Sequence, residues 1–173
     1  MLPKQAISHG QLLKEGHAKR QIESLSASLK IFPTPFKGIY YVPMPEERAG
    51  WFIEKPLKAL SMALKLYLGT GEFYYGCETA EEFLGLKWSP SGRVHVVNAK
   101  RSGRINLAKR AERNARKASY RAGKIAALLG LYGREIIFHK IADISKSRTK
   151  QTPYGAFATK AQIAKDKKRF NEK

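Results

Sequence analysis

Lys100-Arg-Ser-Gly-Arg-Ile-Asn-Leu-Ala-Lys-Arg-Ala-Glu-Arg-Asn-Ala-Arg-Lys-Ala-Ser-Tyr-Arg-Ala-Gly-Lys124 is the stretch on which the fold turns. Ala108, Ala111, Ala115, Ala118, Ala122, Ile125 and Leu129 recur at steps of three and four, which places them on one seam of a helix. Lys109, Arg110, Arg113, Arg116, Lys117, Arg121 and Lys124 take the rest of the circumference. Alanine, arginine and lysine are all good helix formers, so a helix over 104–129 is expected. Its alanine seam is too thin to bury much area, and the helix is therefore expected to protrude. Glu112 is the only acid between Lys100 and Arg134, whereas a merely solvated helix mixes signs to gain i,i+4 pairs. An interfacial membrane helix would need Trp, Phe or Leu where this one has alanine. Contact with phosphate accounts for the charge best. Tyr120 has two open roles, stacking on a base or packing against the body.

The flanks of this stretch, Arg93-Val-His-Val-Val-Asn98 and Arg134-Glu-Ile-Ile-Phe-His139, read as strands. If they pair, the basic helix is an excursion between them. Nearer the N-terminus, Gln11–Glu15 and His17–Leu29 read as helices divided by Gly16, with Ile22, Leu25 and Leu29 on one stripe. Pro33 and Pro35 end them, and Phe36–Val42 is rich in β-branched and aromatic residues, the composition of a strand. Two tightly joined helices and a strand resemble the later part of a winged helix-turn-helix without its front helix. Pro56 is placed to open a core helix carrying Leu57, Leu60, Leu64 and Tyr67, which Gly69 stops. Glu72–Tyr75 reads as a short strand, and Thr79 as the cap of a helix Thr79–Leu84 ended by Gly85. From Ser145 onward apolar residues thin out and a basic, mobile or solvated tail is expected.

Composition points the same way. The chain has 33 Lys+Arg against 14 Asp+Glu, a net +19. Residues 1–92 carry 11 basic and 9 acidic side chains, and residues 93–173 carry 22 and 5. Like charge concentrated on one protein repels itself, and the usual compensation is a polyanion such as a phosphate backbone. A hydrophobic content of 43% supports a real core and excludes disorder throughout. Cys77, the single cysteine, excludes an internal disulfide framework and any multi-cysteine metal site, and reads as a small buried hydrophobe. No run approaches the roughly 18 apolar residues of a membrane span, and Met1–Gly10 lacks the apolar stretch of a secretion signal, so a cytoplasmic protein is expected.

Glu78, Glu81, Glu82, His95 and His139 are the raw material for an enzyme, a metal-dependent nuclease for example. Their spacing matches no zinc or two-metal pattern, and no glycine-rich phosphate loop is present. The three glutamates read as acids at a helix N-terminus, favoured by its dipole. The expectation is a non-enzyme with no catalytic residues, no cofactor and no metal.

Lys37-Gly-Ile-Tyr-Tyr-Val-Pro43, Phe73-Tyr-Tyr-Gly-Cys-Glu-Thr-Ala-Glu-Glu-Phe-Leu-Gly-Leu86 and Arg93-Val-His-Val-Val97 resemble the AbiEi-type antitoxin and transcriptional regulator family. Tyr74, Ala80, Gly85 and Leu86 fall on one of that family's patterns, and the likeness spans roughly residues 17–98, with Ile136–His139 more loosely. The resemblance implies a DNA-binding autorepressor with an N-terminal winged helix, paired functionally with a nucleotidyltransferase-like toxin. This chain departs from the pattern in a shorter N-terminal part and in the basic helix. The fold expected is therefore α+β: a truncated winged-helix-like part over 1–45, a small mixed α/β domain over 46–144 with the protruding basic helix at 104–129, and a basic tail over 145–173. Nucleic acid is the expected partner, DNA ahead of RNA, with no membrane and with homodimerisation left open. Lys100, Arg101, Arg104, Lys109, Arg110, Arg113, Arg116, Lys117, Arg121 and Lys124 are expected on phosphate, and Lys19 and Arg20 near bases. An RNA-binding protein using the Arg-rich helix is the alternative.

Overall fold

The computed structural model describes residues 5–117 and 119–171. The chain begins with β1 (Gln5–Ser8), α1 (His9–Lys14), α2 (Lys19–Ala27), β2 (Phe32–Pro33), β3 (Ile39–Val42), α3 (Pro45–Gly50) and α4 (Pro56–Leu68). It continues through β4 (Phe73–Tyr75), α5 (Cys77–Phe83), β5 (Arg93–Asn98), β6 (Gly103–Asn106), α6 (Leu107–Ala115) and α7 (Tyr120–Gly130). It ends with β7 (Glu135–Lys140), β8 (Thr149–Thr152), β9 (Gly155–Ala158) and α8 (Lys160–Phe170). The fold is mixed, with two sheets, and the chain divides into two units: Met1–Gly69 with Leu107–Tyr132, and Thr70–Asn106 with Gly133–Lys173.

In unit 1, Ser8 caps α1 by accepting a hydrogen bond from Gln11 N at 3.1 Å, while Gln11 Oε1 accepts one from Ser8 N at 2.8 Å. This reciprocal box satisfies two backbone donors that a helix start leaves orphaned. Gly16, at φ +89°, turns the chain between α1 and α2. The strands form an antiparallel sheet in the order β1-β3-β2. Ile7, Leu12, Ile22, Ile31 and Val42 close a core between helices and sheet, with Leu25 and Tyr40 packed on it. Glu47 is buried and fully employed: Tyr41 Oη donates to its carboxylate at 3.0 Å, and Met44 N and Glu54 N donate at 2.9 Å. Pro56 opens α4 and Gly69, at φ +63°, closes it, as expected.

In unit 2 the strand order is β6-β7-β5-β4-β9-β8. The strands at 93–98 and 135–140 do pair, in parallel, with His95 level with Ile137 and Val97 level with His139. Residues 94–98 and 136–139 are all buried, the pattern of strands covered on both faces. Helices α5 and α8 pack on each other and on the sheet. Gly76 joins β4 to α5 where a Cβ would stand only 3.0 Å from both Asp166 Oδ2 and Val97 Cγ2, so any other residue would need these side chains to give way.

The structure corrects four expectations. The helix over 104–129 is not continuous: 103–106 is a strand paired with β7, and two helices follow, separated by a turn at 116–117. Ser119 restarts the helix by accepting a hydrogen bond from Ala122 N at 3.1 Å. A straight rod would hold Leu107 roughly 30 Å from Leu128 at 1.5 Å per residue; folded back, with α6 against α7, both are wholly buried. The hairpin is thus part of the body of unit 1 rather than a protrusion. The residues over 145–173 are no tail, because β9 pairs with β4 and Ala156, Phe157, Ala158 and Ile163 are core. The boundaries 1–45, 46–144 and 145–173 consequently give way to the two interleaved units. Thr79 caps nothing: Gly76 stands at the N-cap, and Thr79 Oγ1 donates to Arg93 O at 3.2 Å and accepts from His95 N at 2.8 Å. Residues 1–4, assigned to the N-terminal part, Ala118 of the seam and residues 172–173 of the tail lie outside the described residues.

Candidate functional site

Nine of the twelve expected contact residues fall in unit 1. Lys19 and Arg20 occupy the first turn of α2, both exposed. On the hairpin, Lys109 and Arg113 of α6 and Arg116 and Lys117 of the turn are exposed. The other three are structural as well as cationic. Arg110 donates from its guanidinium to Pro35 O. Arg121 Nε donates to Ala27 O at 2.9 Å, placing a cation on the last carbonyls of α2, where the helix dipole favours it. Lys124 lies 5.1 Å from the ring centroids of both Trp51 and Tyr120. Tyr120 is 75% exposed, so it does not pack against the body.

Lys100, Arg101 and Arg104 belong to unit 2. Asn98 shapes their turn, its Oδ1 accepting from Lys100 N at 2.9 Å and Arg101 N at 2.7 Å. Arg104, on β6, is 3.9 Å from Glu135 and exposed. An ion pair of that kind contributes little in water.

Unit 2 also holds a buried polar centre that the sequence reading did not assemble. His95 Nδ1 and His139 Nε2 are 3.0 Å apart. Their ring centroids are 5.3 Å apart with planes only 7° from parallel, so the rings lie end to end, nearly coplanar, sharing one N–H···N hydrogen bond. Phe170 stacks on His139 at 4.0 Å. Cys77, at the head of α5 and wholly buried, completes a group in which one ligating atom from each of Cys77, His95 and His139 lies within 4.8 Å of the others. Burial lowers both imidazoles to about 4, and each also feels neighbouring positive charge, so both are neutral at physiological pH. His95 Nε2 faces Glu78 Oε2 at 3.8 Å, and neither buried atom has a hydrogen-bond partner. Burial alone would raise the Glu78 carboxyl, but the Lys87 ammonium, 2.6 Å from Oε1, and further hydrogen bonding hold it below its usual range. Glu78 does stand in the first turn of α5, as expected of an acid favoured by the dipole, whereas Glu81 and Glu82 lie beyond that turn, and the three do not converge. Glu81 pairs with Lys167 at 3.0 Å and Glu82 Oε1 accepts from Ser91 N at 2.7 Å.

A second buried network links Tyr74 Oη, which donates to Asp166 Oδ1 at 3.1 Å, and Gln162 Nε2, which donates to the same oxygen at 2.8 Å. Burial raises the Asp166 carboxyl above its usual value against these two donors. Only the strand assignments hinted at the histidine pair; its making depends on the parallel register, which no local signal carries.

No family model, no curated protein and no solved structure matches this chain.

Proposed function

We propose that unit 1 is a nucleic-acid-binding module that takes duplex DNA ahead of RNA. The observation that carries this reading is the joining, in one compact unit, of α2 and the α6–α7 hairpin with exposed cations on both, among them Lys19, Arg20, Lys109, Arg113, Arg116 and Lys117. The order β1-α1-α2-β2-β3 with the sheet β1-β3-β2 supports reading this part as a winged helix without its first helix, and on that reading α2 would be the helix that enters the major groove. The hairpin would follow the phosphates, with Tyr120 free to meet a sugar or base. The resemblance to antitoxin-type regulators agrees with a role in transcriptional control.

The test is competition at one salt concentration among a duplex carrying the protein's own upstream sequence, an unrelated duplex, a structured RNA and a single strand. The reading expects both duplexes to outcompete the single strand and the upstream sequence to bind tightest. Preference for structured RNA over either duplex would move the assignment to the Arg-rich RNA-binding class. No detectable binding at low salt would remove it altogether.

A further inference from the structure

The geometry points to a transition-metal site of the zinc class in unit 2, with Cys77 Sγ, His95 Nδ1 and His139 Nε2 as ligands. It is independent of the nucleic-acid reading, which rests on unit 1. The three residues come from three elements, the β4–α5 junction, β5 and β7, and converge although they are 18 and 44 residues apart in sequence. Cys77 and His95 are 0% exposed and His139 is 9%. One thiolate and two neutral imidazoles form a donor set that suits zinc and its neighbours and excludes magnesium and calcium, which need oxygen.

The spacing of the two nitrogens is close to that of a metal-bound pair. Two nitrogens, each about 2.0–2.1 Å from a tetrahedral ion, lie about 3.3 Å from each other; the present spacing is 3.0 Å. The two nitrogens need to part by only a few tenths of an ångström, while each imidazole must turn about 35° off their common line to aim its lone pair at the ion, which replaces the proton they now share. Once Nδ1 of His95 binds the ion, its remaining proton must sit on Nε2, the buried atom that faces Glu78 Oε2. A ligating histidine usually passes its second N–H to a carboxylate, which fixes the ring and raises its basicity. One assignment thus accounts for both unpartnered atoms. Charge also balances: the Cys77 thiol releases its proton to solvent, and the dication is offset by the thiolate and the Glu78 carboxylate. The backbone agrees, since Cys77 is held at φ +47°, a left-handed conformation costly for a side-chain-bearing residue and common at ligand sites. Three protein ligands leave a fourth position for water.

The experiment uses the purified full chain, reduced and treated with a chelator, and titrated with Co²⁺ and Zn²⁺. One equivalent of Co²⁺ should bind, with tetrahedral visible bands and a thiolate-to-cobalt charge-transfer band; Zn²⁺ should displace it and Mg²⁺ should not. Cys77→Ala should abolish the charge-transfer band, and His139→Gln should weaken binding at least a hundredfold. Glu78→Gln should weaken it 10- to 100-fold with the bands unchanged in shape. X-ray absorption of the zinc-loaded wild type needs no variant: it should show one sulfur at about 2.3 Å with nitrogen or oxygen at about 2.0–2.1 Å. Absence of stoichiometric binding, a zinc shell without sulfur, or an unaltered cobalt spectrum in a folded Cys77→Ala protein would each overturn the assignment.

Discussion

Replacing Arg113, Arg116 and Lys117 together by alanine should halve the salt dependence of duplex binding. The magnitude follows from six exposed cations on α2, α6 and the turn after it, namely Lys19, Arg20, Lys109, Arg113, Arg116 and Lys117, taken as the contacts. Each phosphate neutralised contributes about −0.9 to the slope of log K against log salt, so six contacts give about −5 and three about −3. Between 50 and 200 mM salt, wild-type affinity should then fall by more than a thousandfold, and that of the triple variant by about fortyfold. The assay is fluorescence anisotropy of a labelled duplex at four or five salt concentrations, with circular dichroism as the control for folding. The substituted side chains are exposed on the end of α6 and its turn, so stability should change by no more than about 0.5 kcal/mol. A matched Lys100→Ala, Arg101→Ala, Arg104→Ala variant, confined to unit 2, should change the slope far less. A triple-variant slope equal to that of the wild type would refute the reasoning even if its affinity dropped, because it would mean that no phosphate contact had been lost.

Leu128, wholly buried on α7, should cost about 2–5 kcal/mol when changed to alanine, read by urea unfolding; a cost below about 1 kcal/mol would mean the hairpin is not part of the unit's core. Arg121→Ala removes a guanidinium from Ala27 O and should cost about 0.5–1.5 kcal/mol by the same measurement, less at high salt. Asp166 has a folded-state pKa raised by burial, so its charge weakens the fold at neutral pH, and that penalty is relieved as pH falls through the folded value towards the unfolded one. Asp166→Asn, which can still accept from Tyr74 and Gln162, should therefore equal or exceed wild-type stability at pH 7 and lose that advantage in acid; a variant less stable at pH 7 than at pH 4, relative to wild type, would contradict this. Asp166→Ala leaves Tyr74 Oη without its acceptor and should cost about 1–3 kcal/mol at either pH.

The elements readable from the sequence are those whose signals are local. Pro56 and Gly69 mark both ends of α4, the alternation of 93–98 and 134–139 marks two strands, and Gly16 separates the first two helices. What stayed hidden depends on partners distant in the chain. Gln5–Ser8 has one β-branched residue and becomes a strand by pairing with Ile39–Val42. Thr149–Thr152 reads as polar tail because it is an edge strand whose side chains are largely exposed, while the neighbouring β9 supplies the burial. The basic residues were all identifiable, but not that Arg110 and Arg121 tie the hairpin to backbone carbonyls at Pro35 and Ala27. The histidine pair required the register of β5 on β7, and the alanine seam concealed the break that Ser119 imposes.

Because unit 1 is assembled from Met1–Gly69 and Leu107–Tyr132, its core stays unfinished until the ribosome has passed residue 132. Leu107, Leu128 and Leu129 arrive last, after a 37-residue detour that belongs to the other unit. At about 5–20 residues per second, the nascent helices and strands of residues 5–69 wait several seconds with that apolar surface uncovered. No single cut in the polypeptide can liberate either unit intact, so a fragment ending at residue 69 would emerge sticky and incomplete. The segment richest in positive charge is also the piece that completes the unit, and any nucleic-acid grip it provides can appear only once folding there is finished.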